Sequence, residues 1–355
     1  MDKGLYNVCE ILRHYGWRLI FKMDHGHTMS ESIYNKLADA SPRLIFEYFI
    51  KYVGSSAKDA PGYMNMMSLI QFDYGLWYVK GGMYNLARGL DKLVSDIGIR
   101  IRFNSEVETI NQSGKDVTGV TLKNGETINA DYVVCNMEVL PAYRKLLREP
   151  LEFTKKLEKF EPACSGLVIH LGTDKIYDQL AHHNFFYSKN QNKHFDTVFQ
   201  KGELPEDPTI YLVAPTRTDP SKAPEGHDNI KILPHIPPIN PDKPHTHEDY
   251  MALKDRVINK LERMGLTDLR KHTVVEDVLT PVDIEAMYNS NRGSIYGVVS
   301  DWKKNQAFKA PKQSSKYRNL FFTGGSVNPG GGMPMVILCG QKVADRVLKQ
   351  EAKMS

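Results

Sequence analysis

Leu320-Phe321-Phe322-Thr323-Gly324-Gly325-Ser326-Val327-Asn328-Pro329-Gly330-Gly331-Gly332-Met333-Pro334 reads as a buried strand, a loop carrying five glycines and the opening of a helix. Pro334 fits the first helical turn, where a missing N–H costs nothing. The helix then continues through Val343, Val347 and Leu348. A strand that empties through glycines into a helix N-terminus gathers free backbone N–H groups at the positive end of the helix dipole. Such a place suits an anion or an electron-rich ring.

Upstream of it, the clearest pattern is a set of β-rich runs, Ile99 to Phe103, Val107 to Ile110, Val117 to Leu122 and Tyr132 to Cys135, separated by turn residues. Asn124-Gly125 between two of them is a strong hairpin signal, because both central positions of that turn need positive φ. A β-meander returning through a buried strand is therefore predicted. Before it, Met83, Leu86, Leu90, Leu93, Val94 and Ile97 mark one face of a helix that ends at Gly98. Further strands are read at Gly166 to Leu171, Thr209 to Ala214 and Asn229 to Leu233, and a helix from Tyr250 to Met264 closes at Gly265. The first eighty residues read mostly helical. His14, Arg18 and Lys22 form a basic stripe there, open to two readings: a solvated surface face, or an interfacial helix resting on anionic lipid.

The composition narrows the chemistry. The 355 residues include 46 Lys+Arg against 42 Asp+Glu, a net charge of +4 without a long basic run, so nucleic acid is not an expected partner. Length favours about two domains. Four scattered cysteines, Cys9, Cys135, Cys164 and Cys339, point to a reducing compartment instead of a disulfide scaffold. With no secretion signal and no long apolar window, a cytoplasmic protein, at most peripheral to a membrane, is expected. The phosphate-loop, nucleophile-elbow and HExxH patterns are missing. His25-Gly26-His27 and His245-Thr246-His247 are joined by no ligand constellation, so no metal is expected. What remains is glycine-rich backbone and aromatic surface, which suits a protein that leaves the hard chemistry to a cofactor, and a flavin meets that need.

Four segments in order carry a family resemblance: Phe72-Asp73-Tyr74-Gly75-Leu76-Trp77-Tyr78-Val79-Lys80-Gly81-Gly82-Met83-Tyr84, then Asn104-Ser105-Glu106-Val107, then Thr218-Asp219-Pro220-Ser221-Lys222-Ala223-Pro224-Glu225-Gly226, then the C-terminal glycine segment. Together they resemble the bacterial carotenoid desaturases, the dehydrosqualene and phytoene desaturase group within the FAD-dependent amine-oxidase-like superfamily. The resemblance implies a mixed α/β fold. One part is the remainder of a Rossmann-like FAD-binding domain with the β-meander, and the other a substrate domain with a mixed sheet and helices. Residues 1–80 would form a helical, membrane-proximal lid of the substrate domain, 81–140 and 286–355 the FAD portion, and 141–285 the substrate domain proper.

It further implies FAD contacts at Gly324, Gly325, Ser326, Gly332, Met333 and Pro334, with the Val107 backbone at the adenine end. Trp77, Gly81, Gly82, Met83 and Tyr84 fall near the flavin ring and the substrate tunnel. The implied activity is desaturation of a long isoprenoid, phytoene or dehydrosqualene, taken from a membrane surface. Its alternatives are oxygenation of terminal methyl groups or isomerisation by a family sister, or a non-catalytic lipid-binding remnant. One departure stands out: the G-x-G-x-x-G fingerprint of family members is not found in this chain. The expectation is a truncated or split form, with a separate chain supplying the N-terminal dinucleotide-binding half. No catalytic residue is assigned by the resemblance.

Overall fold

The computed structural model describes residues 26–305 and 307–354, with Arg13, Gly16, Arg18 and Asp24. Most of the helix read over residues 12–21, with His14 and Lys22 of the basic stripe, lies outside the described residues, as do Cys9 and His25. The chain divides into two compact units. One comprises Met1–Ser68, Ser105–Ser165 and Val282–Ser355; the other comprises Leu69–Asn104 and Gly166–Pro281. These divisions differ from the sequence boundaries at 80, 140 and 285. Tyr143, Leu147, Phe153 and Phe160 pack into the core of the C-terminal strand and helix, which draws residues 141–165 into the first unit.

In the first unit, α1 (Met29–Lys36) starts at a capping box. Thr28 Oγ1 accepts from the Glu31 N–H at 3.2 Å while the Glu31 carboxylate accepts from the Thr28 N–H at 2.7 Å, an arrangement that stabilises a helix start by about 1 kcal/mol. Helix α2 (Ala40–Tyr48) follows. The meander is β1 (Val107–Ser113), β2 (Asp116–Leu122) and β3 (Thr127–Asn129), paired antiparallel in that order. Between β2 and β3, Gly125 has φ 86° and its N–H bonds the Leu122 carbonyl at 2.9 Å, closing the Asn-Gly hairpin.

Strand β4 (Val133–Cys135) then runs parallel to β11 (Leu320–Phe322), with Val133, Val134 and Cys135 opposite Leu320, Phe321 and Phe322. Asn319 fastens this pair to the meander. Its amide bonds the carbonyls of Val117 and Asp131, both at 2.7 Å, and its carbonyl oxygen accepts from the Val117 N–H at 2.8 Å. Ile110, Val117, Cys135, Phe321, Phe322 and Val327 form a buried core, and Cys339 and Val343 reach it from one face of the C-terminal helix α6 (Met333–Met354). Cys135, Cys164 and Cys339 are all free and buried.

The run Ile99 to Phe103 is a correction to the sequence reading: it joins no strand pairing among the described residues, and Ile99, Ile101 and Phe103 are exposed. β-propensity becomes a strand only where an edge accepts its hydrogen bonds.

The strands of the second unit are β6 (Val168–Thr173), β7 (His183–Phe186), β8 (Ile210–Val213), β9 (Asp228–Ile236) and β10 (Thr273–Leu279). They form a sheet in the order β10-β6-β9-β8-β7, and the short β5 (Ser165–Gly166) pairs β9. The mixed sheet expected here is antiparallel along that path. Ile169, Leu171, Ile210, Leu212, Ile230 and Ile232 share one core with Tyr250, Leu253, Val257 and Leu261 of α5 (His247–Arg263). Thr246 caps α5 and, with Asp249, forms a second capping box. The histidine pair around it thus sits at a helix start, and no group of metal ligands occurs among the described residues.

Helices α3 (Met66–Tyr74) and α4 (Tyr84–Asp96) frame the exposed segment between them, and Gly98, with φ 77°, follows the end of α4. Leu90, Leu93 and Ile97 of the predicted apolar face are exposed. No helix among the described residues is long and apolar enough to cross a membrane.

Candidate functional site

The glycine loop leaves β11 against a second backbone. A Cβ on Gly297 would stand 2.5 Å from the Gly325 carbonyl, and one on Gly331 would stand 2.5 Å from the Tyr296 carbonyl oxygen. Glycine at these places is what allows two chain segments to touch through their main chains. Ser326 is buried, and its hydroxyl accepts from the Val139 N–H at 3.1 Å, joining the loop to the segment after β4. Asn136, from that same segment, faces Gly324: its side-chain Oδ1 would lie 2.9 Å from a Cβ there.

Two titratable groups flank the loop, Lys309 buried and Glu138 half-buried. The Lys309 amine donates to the Val298 carbonyl at 2.5 Å, the Val299 carbonyl at 3.4 Å and the Ser300 hydroxyl at 3.3 Å. Its side chain fills the space beside Gly330, whose Cβ would meet Lys309 Cε at 2.5 Å. Burial pulls this amine down to about 7. Glu138 lines a small pocket with Leu140, Phe160, Asn291, Val298 and Ser326. The Ser294 hydroxyl donates to Glu138 Oε1 at 3.2 Å. Loss of solvent nevertheless pushes the carboxyl up to about 7, with the Glu285 charge adding to the shift.

Past this buried portion the loop opens. Gly324 and Gly325 are half-buried, whereas Gly332, Met333 and Pro334 are exposed. A Cβ on Gly332 would touch nothing within 4 Å. The first bond of α6 runs from the Val336 N–H to the Gly332 carbonyl at 3.0 Å, so the turn ahead of it carries N–H groups without helical partners. These residues are compatible with a flavin: the bare backbone at Gly332 would admit a flat ring, and the unpartnered N–H groups at the start of α6 would favour an electron-rich group.

The other predicted positions fall elsewhere. Val107 opens β1, half-buried and paired with Leu122. Trp77, Gly81, Gly82, Met83 and Tyr84 belong to the second unit, with Trp77 90% and Tyr84 70% exposed. Their turn is braced by the Thr218–Gly226 motif. Asp219 Oδ2 accepts from the Gly81 N–H at 3.1 Å and the Tyr78 hydroxyl at 3.2 Å, while Lys222 donates to the Gly81 carbonyl at 2.7 Å. Two segments quoted for the family resemblance therefore meet in space. Asn136, Glu138, Gly297 and Lys309 are absent from the sequence-derived candidates. Gly293-Ser294-Ile295-Tyr296-Gly297 carries a usable signal in its paired glycines; Glu138 is one of 42 acidic residues and carries none.

Comparison with known proteins gives this arrangement its relatives. Residues 18–348 match the family described as flavin containing amine oxidoreductase. The chain is 55% identical over 347 residues to a 4,4'-diapolycopene oxygenase of Methylomonas sp, covering 98% of this chain and 70% of that one. It is 50% identical over 352 residues to a 4,4'-diaponeurosporene oxygenase of Staphylococcus aureus, covering 99% of this chain and 71% of the relative. Among solved structures, an oxidoreductase from Methanosarcina mazei superposes with a TM-score of 0.62 at 13% identity, covering 96% of this chain and 73% of the other. Putrescine oxidase does so with 0.61 at 14%, covering 93% and 69%. At such identities these structures speak to the fold. The chain belongs to the flavin containing amine oxidoreductases, as an FAD-dependent oxidoreductase of their carotenoid desaturase-like branch.

Proposed function

We propose that the protein oxidises a terminal methyl group of an acyclic polyene in carotenoid biosynthesis, as an oxygenase. The observation that carries this reading is the 55% identity, over 98% of the chain, to a protein named 4,4'-diapolycopene oxygenase. Desaturation of a phytoene- or dehydrosqualene-type chain, which the sequence resemblance implies first, has less support because these relatives bear oxygenase names.

FAD, when bound, supplies the redox chemistry that no side chain here provides. Gly324, Gly325 and the first turn of α6 are the residues that would hold its ring. Glu138, titrating near neutrality beside the same loop, can hold a proton at Oε1. The hydrocarbon substrate brings two partner proposals with it. It must be collected from a membrane, since it is nearly insoluble in water. A separate segment bearing G-x-G-x-x-G would complete the adenosine side of the cofactor site.

The test is expression in cells that accumulate 4,4'-diapolycopene, with and without a coexpressed dinucleotide-binding segment, followed by mass analysis of the pigments. Products that gain oxygen at the chain ends support the reading. Products that only lose hydrogen from an earlier precursor would replace it with desaturation.

A further inference from the structure

Asn328 lies near the middle of the glycine loop. On one side Val327 is fully buried and bridged to Ala310; on the other Gly330 is packed on the Lys309 side chain. One bond orients the Asn328 carboxamide: the Lys309 backbone N–H donates to Oδ1 at 3.2 Å. Turning the amide over would set its own hydrogens against that N–H, so chemistry assigns the oxygen and the nitrogen. The residue is half-buried, but Nδ2, on the other limb of the carboxamide, is closed off from solvent and has no hydrogen-bond partner among the described residues.

Neighbouring polar groups do not answer it. The Lys309 amine is itself a donor, spread over the Val298 and Val299 carbonyls and the Ser300 hydroxyl. The Ser326 hydroxyl is taken up by the Val139 N–H. A buried N–H without an acceptor costs stability, and swinging the side chain toward water would give up the Lys309 bond as well. A bound molecule that brings an acceptor into contact removes the cost. The class of molecule follows from the group: Nδ2 carries two N–H donors and no free lone pair, so its complement is a carbonyl oxygen or an unprotonated ring nitrogen. A polyene that has not been oxidised has neither. The polar edge of an isoalloxazine has both, and Gly324, Gly325 and the first turn of α6 lie at the two ends of this same loop.

We propose that Asn328 orients the flavin, its buried carboxamide N–H groups donating to an acceptor atom on the isoalloxazine edge while Oδ1 stays held by the Lys309 backbone. The inference rests on the flavin reading of this loop and deepens it. Bare glycine backbone gives a flat ring room without a preferred rotation, and one directed donor supplies that preference.

The test is a titration of the purified full chain with FAD and with lumiflavin, the ring system without ribityl chain or phosphates, read by quenching of flavin fluorescence. Asn328→Asp keeps the oxygen that Lys309 holds and replaces the N–H groups by a second oxygen. Where the introduced carboxyl is ionised, affinity for both probes is expected to fall roughly tenfold or more. As pH drops and that carboxyl takes up a proton, its O–H becomes a donor, so affinity relative to wild type at the same pH should recover. A loss that persists at low pH marks a merely structural asparagine and overturns the proposal. Unaltered affinity overturns it too, and so does a loss for FAD alone, which moves the contact off the ring. If Asn328→Asp does not fold, wild type labelled with heavy nitrogen in its asparagines decides: lumiflavin should shift one side-chain amide signal, the one missing from Asn328→Ser, and a signal that stays put contradicts the assignment. Wild-type protein that binds neither probe sinks the flavin reading of the loop and this inference with it, whereas binding without a response at residue 328 sinks the inference alone.

Discussion

The backbone of Gly331 runs against the Tyr296 carbonyl so closely that a Cβ on residue 331 would stand 2.5 Å from its oxygen. Because that obstacle is main chain, a side chain at residue 331 forces the two segments apart. Gly331→Ala is expected to cost about 1–3 kcal/mol and to lower flavin retention. Gly89→Ala is the contrast: residue 89 lies in α4, where a Cβ meets nothing within 4 Å, and the change is expected to stabilise by about 0.5–1 kcal/mol. Thermal melts of the two variants, with flavin absorbance after gel filtration, check both.

Glu138 sets a pH dependence with a definite sign. Its folded value of about 7 lies above the ordinary 4.5, so the folded state holds a proton that the unfolded chain has released. The contribution is fully present below the ordinary value and is lost as pH rises toward 7, amounting to about 3 kcal/mol at most. Glu138→Gln should flatten the stability profile across that window. An unaltered slope in urea melts from pH 4.5 to 7.5 would assign it to another group.

Asp219 braces the Gly81–Gly82 turn by accepting from Gly81 N–H and Tyr78 hydroxyl. In Asp219→Ala the Gly81 amide is expected to exchange its hydrogen faster than in wild type. Protection within α5 should not change, because its packing on the sheet does not involve this turn.

How much of this could be read in advance follows from where each signal resides. The sequence β11, glycine loop and α6 was legible because strand propensity, glycine and a proline at the helix start are all local. The Asn124-Gly125 hairpin was legible for the same reason. Strand β10 was not: Val274, Val275, Glu276 and Asp277 are all exposed, so the alternation that marks a half-buried strand is missing. Ile99 to Phe103 failed the other way, with strong propensity and no pairing edge. The contact of Gly297 with Gly325 joins distant backbone, which no local pattern announces.

Trp77, 90% exposed between α3 and α4, offers a direct probe of membrane contact. With vesicles of anionic phospholipid, its emission should shift to the blue, and Trp77→Phe should remove that part of the shift. Emission that stays put on adding vesicles would take this segment out of any membrane-binding role.

The most direct test of the central claim uses purified protein supplied with FAD, 4,4'-diapolycopene and isotopically heavy dioxygen. Products are reduced to alcohols at once, so that carbonyl exchange with water does not erase the label. The account predicts heavy oxygen at a terminal carbon. Conversion of the polyene without incorporated label, or a hydrocarbon product that has only lost hydrogen, would contradict it.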